Sequence, residues 1–165
     1  MNKKLAYVCI IIAFAFSCGK SDRSEVYNEN NTTTINGVVY NTNEQPINGL
    51  YKTYYDDGNV KMEIESLNGL PHGQGKFYDK EGKLQYLTLF FKGRLNGSLY
   101  HYYPDGSVHN EMNFVNGIKN GTQKSYNDEG EIVAEIVYEE GKAVSGVVYS
   151  GEEKKELTSE ELSAM

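Results

Sequence analysis

The sequence has no tryptophan, only three prolines and only two cysteines in 165 residues. Its hydrophobic share is low, 39%, and 14 tyrosines supply much of it. Such a composition suits a thin, half-exposed sheet better than a two-layer core. With so little proline, the turns must come from the 17 glycines. Basic residues are also scarce: 16 Lys and Arg stand against 23 Asp and Glu, a formal charge of −7. An acidic chain gains nothing by displacing counterions from a phosphate backbone, so no nucleic acid partner is expected. Direct attraction to anionic lipid headgroups is disfavoured for the same reason.

Long apolar runs are absent except for Leu5 to Phe16, which follows Lys3 and Lys4. A membrane-crossing helix needs roughly 20 apolar residues, so this run is too short to stay, and residues 1–17 read as an export signal. Cys18, preceded by Ala15, Phe16 and Ser17, resembles the lipidated cysteine of bacterial lipoproteins, with Ala15 where leucine is usual. The alternative is an ordinary secretory leader cut nearby, leaving a free thiol. Cys9 departs with the leader, so Cys18 would be alone, unable to form an internal disulfide. Thioether lipidation removes that reactive thiol, and several acyl chains anchor firmly where one is marginal. The resemblance implies a lipid-anchored protein of a bacterial cell envelope, at the outer membrane first of all. Residues 18–34 are polar and read as a flexible tether.

What the chain does have is a repeat. Glycines recur at 24-residue intervals in three columns: Gly49, Gly73, Gly97, Gly121; Gly58, Gly82, Gly106, Gly130; and Gly69, Gly93, Gly117, Gly141. Tyr54, Tyr78, Tyr102 and Tyr126 keep step with them. Between the glycines lie runs of 5 to 8 residues rich in Tyr, Phe, Val and Ile, the mark of strands. Asp57-Gly58 and Asp105-Gly106 signal hairpin turns, and Asn-Gly pairs mark the opposite rim. The expected fold is all-β, a single-layer antiparallel meander of hairpin repeats over residues 35–150. Gly37-Val38-Val39-Tyr40 recurs as Gly146-Val147-Val148-Tyr149, and each copy is expected to add a closing strand. Residues 151–165 are an acidic tail, helical or disordered, with Thr158 and Glu161 at capping-box spacing.

Alternation along the return strands assigns one apolar face to Val60, Leu84, Val108 and Ile132 together with Ile64, Met112 and Ile136. The opposite face carries Glu63, Glu111 and Glu135, with Leu87 in the same column. Whether the tyrosine column joins the apolar face depends on a turn of two residues or three, because one residue of slip exchanges the faces.

The pattern Gly-x-x-x-x-Tyr-Tyr-x-Asp-Gly, with a later Glu and a closing Asn-Gly, resembles the bacterial variant of the MORN repeat. Gly49 to Asn68 and Gly97 to Asn116 are the closest copies, and the likeness spans about residues 37–149. Gly75 and Leu87 depart from it. The resemblance implies elongated single-layer sheets that act as binding or scaffolding surfaces, and many bacterial members carry an antitoxin label. For an exported chain, an immunity-type role outside the cytoplasm fits that label better than a cytoplasmic one.

No catalytic constellation, cofactor cradle or metal-ligand spacing is expected. His101 and His109 flank one turn and form at best a two-ligand pair, where zinc wants three or four. The glycines lack the strand-to-helix setting of a phosphate loop. Function then falls to surface recognition. Tyr55 and Tyr103, beside the tyrosine column, are candidate exposed contacts for a protein or, alternatively, a glycan. Leu84 to Phe91 is apolar on both faces, which makes Tyr86, Leu87, Leu89 and Phe91 a candidate docking patch. The tail is a candidate cover for that patch, and fold-back and a free tail remain equally open.

Overall fold

In this computed structural model residues 26–164 are described. The leader and Cys18 lie outside the described residues. Short strands β1 (Val26–Asn28), β2 (Thr32–Ile35) and β3 (Val38–Asn41) come first. The repeats follow as β4 (Gly49–Tyr54), β5 (Val60–Leu67), β6 (Leu70–Tyr78), β7 (Leu84–Phe91), β8 (Arg94–Tyr102) and β9 (Val108–Val115). They continue through β10 (Ile118–Lys119), β11 (Gly121–Tyr126), β12 (Ile132–Glu139) and β13 (Lys142–Ser150) to β14 (Glu153–Glu156) and a final helix, α1 (Ser159–Ser163). One sheet runs in chain order from β4 to β14, except that the short β10 pairs with β9 alone and β11 follows β9 in the order, and β1 is added in parallel beside β4. The expected meander of hairpin repeats is what forms.

The two rims turn differently. At one rim, Asn68-Gly69 and Asn116-Gly117 both have positive φ, and so do Lys92-Gly93 and Glu140-Gly141. Two successive left-handed residues make the type I′ turn whose twist suits a hairpin. At the other rim, Tyr55 N–H donates to Asn59 C=O at 2.8 Å and Gly58 N–H to Tyr55 C=O at 2.9 Å, leaving three residues in the loop. Tyr54 then faces Val60, while Thr53 faces Met62, so Lys61 is an extra residue in the ladder. The other three repeats show the same shift.

That bulge decides the faces. Tyr54 lies on the side of Lys52 and Glu63, because alternate residues of β4 share a face and directly opposed residues do too. The tyrosine column therefore belongs to the charged face. Val60, Leu84, Val108 and Ile132 sit opposite those tyrosines and go with them, which corrects their grouping with Ile64, Met112 and Ile136. The bulge places the two halves of each return strand on different sides.

The apolar face is the core. Ile64, Thr88 and Ile136 on it are buried, as is Tyr138. Gly75 makes room there: a Cβ on it would stand 2.6 Å from the Phe90 ring, so this departure from the repeat admits an aromatic side chain. Thr88, the polar exception in its column, is 2% exposed and its hydroxyl donates to Ser98 C=O at 3.4 Å.

The ends differ from expectation. Residues 26–28 and 32–34, expected to belong to the tether, lie in strands, because β1 finds the open edge of β4 and β2 pairs with β3 in a separate two-stranded sheet. Val38–Asn41 does not close the main sheet. It packs at the rim, where Val39 N–H donates to Gly69 C=O at 2.9 Å and Ile47 N–H donates to Val39 C=O at 3.0 Å, and Ile47 is fully buried. Its twin, Val147 to Tyr149, lies inside β13 with strands on both sides. The tail is neither all helix nor free: β14 pairs with β13, Leu157 seats over Gly146, and Thr158 and Glu161 form the expected capping box.

Candidate protein-binding face

Midway between the rims, the charged face carries one continuous row of directly opposed residues. It runs Lys52, Glu63, Lys76, Leu87, Tyr100, Glu111, Lys124, Glu135 across β4 to β12. Opposite charges on neighbouring strands stabilise a sheet, each pair by roughly 0.2–1 kcal/mol. Lys52 reaches Glu63 at 2.6 Å and Lys124 reaches Glu135 at 3.8 Å. The Lys52 ammonium holds the Glu63 carboxyl below its usual range. The Tyr78 hydroxyl donates to Glu63 at 3.0 Å. Burial, reinforced by that carboxylate, pushes the phenol up to about 12. The lysines keep the 24-residue spacing at 52, 76 and 124, with Tyr100 at the third of the four places. The sequence reading missed this column although its period was already in hand, because glycine and tyrosine marked the repeat more visibly.

The row loses its charge at its centre. Leu87 and Tyr100 stand opposed there, both half-buried. Beside them on the same face, Leu89 and Phe91 are each 46% exposed. The Phe91 ring lies 5.1 Å from the His72 ring, and the Lys92 ammonium sits 5.3 Å from the Phe91 centroid, a cation–π contact. The tail does not cover these residues; α1 packs against β13.

The other candidates lie on the reverse side. Tyr86 stacks on His101 with ring centroids 4.6 Å apart, and the two Nδ1 atoms of His101 and His109 are 3.3 Å apart. Burial, then the neighbouring His109, lowers the pKa of His101. Tyr103 closes this group, 4.3 Å from His109. Among the described residues no group of three or more His, Cys, Asp or Glu is placed to hold a metal ion.

Tyr55 and Tyr103 are not the exposed contacts expected of them. Both are half-buried, and their hydroxyls donate to Tyr78 C=O at 2.7 Å and Tyr126 C=O at 2.8 Å. The ring bridges one hairpin tip to the next, which the sequence could not reveal while the face was open. The six candidate residues thus divide between two faces, with Leu87, Leu89 and Phe91 on the charged one.

The MORN repeat variant pattern matches residues 47–68, 71–92, 95–116 and 119–140, more than half of the chain. Each match spans one hairpin unit, from one two-residue rim to the next. No match was found among curated proteins. Four matched repeats folded as four hairpins of one sheet place this chain in the MORN repeat variant family.

Proposed function

We propose that the chain is a non-enzymatic, lipid-anchored envelope protein whose sheet binds another protein through its charged face. Repeats of this family are generally protein- or membrane-binding modules. One observation carries the reading: the charged row gives way to Leu87 and Tyr100 where Leu89 and Phe91 stand exposed and uncovered. Apolar groups ringed by charge are the usual anatomy of a protein contact, with a dry centre and a polar rim. The glycan reading drew on Tyr55 and Tyr103, whose hydroxyls are engaged within the sheet, so it loses its main support. Neutralising a toxin would be one case of protein binding by the same face.

The test is co-purification from detergent extracts with and without Leu89→Ser/Phe91→Ser. A protein partner lost with that double change supports the reading, and one retained removes this face from the site. The anchor has its own test. Cys18→Ser releases the protein from membranes if the cysteine is lipidated, and unchanged membrane retention refutes the lipid.

A further inference from the structure

The charge pattern of the central row reads the same when its order is reversed and its signs are inverted. Taken forwards it is Lys52, Glu63, Lys76, Leu87, Tyr100, Glu111, Lys124, Glu135. Laid against its own reverse, Lys52 meets Glu135, Glu63 meets Lys124, Lys76 meets Glu111 and Leu87 meets Tyr100. We propose that the chain forms a symmetric dimer through this face, with a two-fold axis parallel to the strands between Leu87 and Tyr100. This rests on the reading of the face as a protein-binding surface and names a second copy as its occupant.

An axis along the strands reverses strand order and keeps position along each strand, so every row can be checked. In the tip row, Tyr54 meets Ile132, Val60 meets Tyr126, Tyr78 meets Val108 and Leu84 meets Tyr102, all apolar or aromatic. On the other side, Leu50 meets Val137, Glu65 meets Thr122, Gln74 meets Asn113 and Leu89 meets Ser98. These rows follow from the strand registers, and no like charges meet in any of them. The other in-plane axis, along the row itself, sets Lys52 on Lys52 and Glu63 on Glu63, a costly arrangement. The charge pattern therefore selects one operator, as an isologous interface requires.

The row is also electrically neutral, with three lysines and three glutamates, in a chain of formal charge −7. The centre of the contact thus adds no net repulsion between two acidic copies, and Glu65 of the flanking row faces the neutral Thr122. Eight strands at about 4.8 Å and three rows of side chains span roughly 35 Å by 20 Å, on the order of 700 Å² per copy, close to the ~800 Å² typical of stable complexes.

The full chain, purified in density-matched detergent, is examined by sedimentation equilibrium. A dimer with a dissociation constant on the order of 1 µM is expected for such an interface. Lys76→Glu sets a new carboxylate against Glu111 at two symmetry-related places, and dimerisation weakens by roughly 100-fold. Glu111→Lys has the same effect by setting a second ammonium against Lys76. Combining both changes restores opposite charges across the interface and with them the dimer. Within one copy, Lys76 neighbours Glu63 and Glu111 neighbours Lys124, so damage confined to the sheet would accumulate in the double variant instead of reversing.

Rescue supports the dimer. A wild-type monomer, a dimer indifferent to Lys76→Glu, or a double variant worse than either single change overturns it. A monomer that still captures a different protein through Leu89 and Phe91 also overturns the dimer, and it leaves the wider reading standing. A chain that neither self-associates nor captures any protein removes both.

Discussion

The hydroxyl of Tyr55 donates to the carbonyl of Tyr78 at 2.7 Å, and 48 residues later Tyr103 repeats the contact on Tyr126 at 2.8 Å. Repeats two and four carry Asp79 and Asn127 in that place, and their side chains instead accept from Lys83 N–H and Glu131 N–H in their own turns. A period of 48 thus lies over the period of 24. One repeat reaches forward and the next closes its own loop.

Since successive hairpins stabilise one another, loss of a forward contact weakens the sheet. Tyr55→Phe and Tyr103→Phe each leave a carbonyl without its hydroxyl partner, at a cost of about 0.5–1.5 kcal/mol. The two contacts are far apart in the sheet and should add. Urea unfolding of both single variants and the double checks this, and no change in midpoint for either would remove the bridging role.

Gly69 and Gly93 occupy equivalent turn positions with φ of 72° and 81°. Their surroundings differ. A Cβ on Gly69 would lie 2.5 Å from the Val39 carbonyl oxygen, whereas on Gly93 its nearest neighbour is Leu70 Cδ2 at 3.7 Å. Gly93→Ala therefore costs only the left-handed backbone, about 1 kcal/mol. Gly69→Ala adds a collision with β3 and should cost roughly 3 kcal/mol, releasing the amino-terminal hairpin from Ile47. Thermal melts give the costs, and hydrogen exchange at Val39 and Ile47 shows whether the hairpin has let go. Equal costs at both glycines would mean that β3 does not rest on the rim.

The rim turns predict gains as well. Lys92 and Glu140 adopt φ of 49°, a conformation that asparagine tolerates better than either, as Asn68 and Asn116 do at the same positions in their repeats. Lys92→Asn and Glu140→Asn should each stabilise the sheet by about 0.5 kcal/mol. A fall in melting temperature for both would show that these side chains make contacts worth more than the turn strain.

Much of the fold was legible because glycine and tyrosine are tied to backbone shape, and shape repeats. The meander, the two rims and the capping box at Thr158 all follow from such residues. What stayed hidden depended on single-residue offsets. Lys61 looks like any strand residue, yet as a bulge it transfers Val60 to the charged face and resolves which side Tyr54 takes. Val38–Asn41 and Val147–Tyr149 share a sequence but not a neighbour, since pairing is set by which edge is open and not by local preference. The patch at Leu87, Leu89 and Phe91 was visible as an apolar excess. Its place in a charged row was not, because a row across eight strands exists only once the register is known.

His101 gives the sheet a pH dependence whose sign follows from its surroundings. It packs between Tyr86 of β7 and His109 of β9, with Tyr103 closing the group; His109 is the neighbour able to carry positive charge, and the other two are phenols. Burial, then His109, lowers the pKa of His101 below its ordinary 6.5 in the folded chain. Between the folded and unfolded values the unfolded chain binds more protons, so stability rises with pH in that window. The contribution is complete above about 6.5 and is lost as pH falls through the folded value. His101→Phe keeps an aromatic ring against Tyr86 but has no proton to gain. Carboxylates such as Glu63 titrate in both proteins and cancel in the comparison. Urea midpoints measured near pH 7.5 and near pH 5 should therefore drop further for the wild type than for His101→Phe. Equal drops would show that the paired imidazoles take up protons without cost, and the stacked group would then be no obstacle to charge.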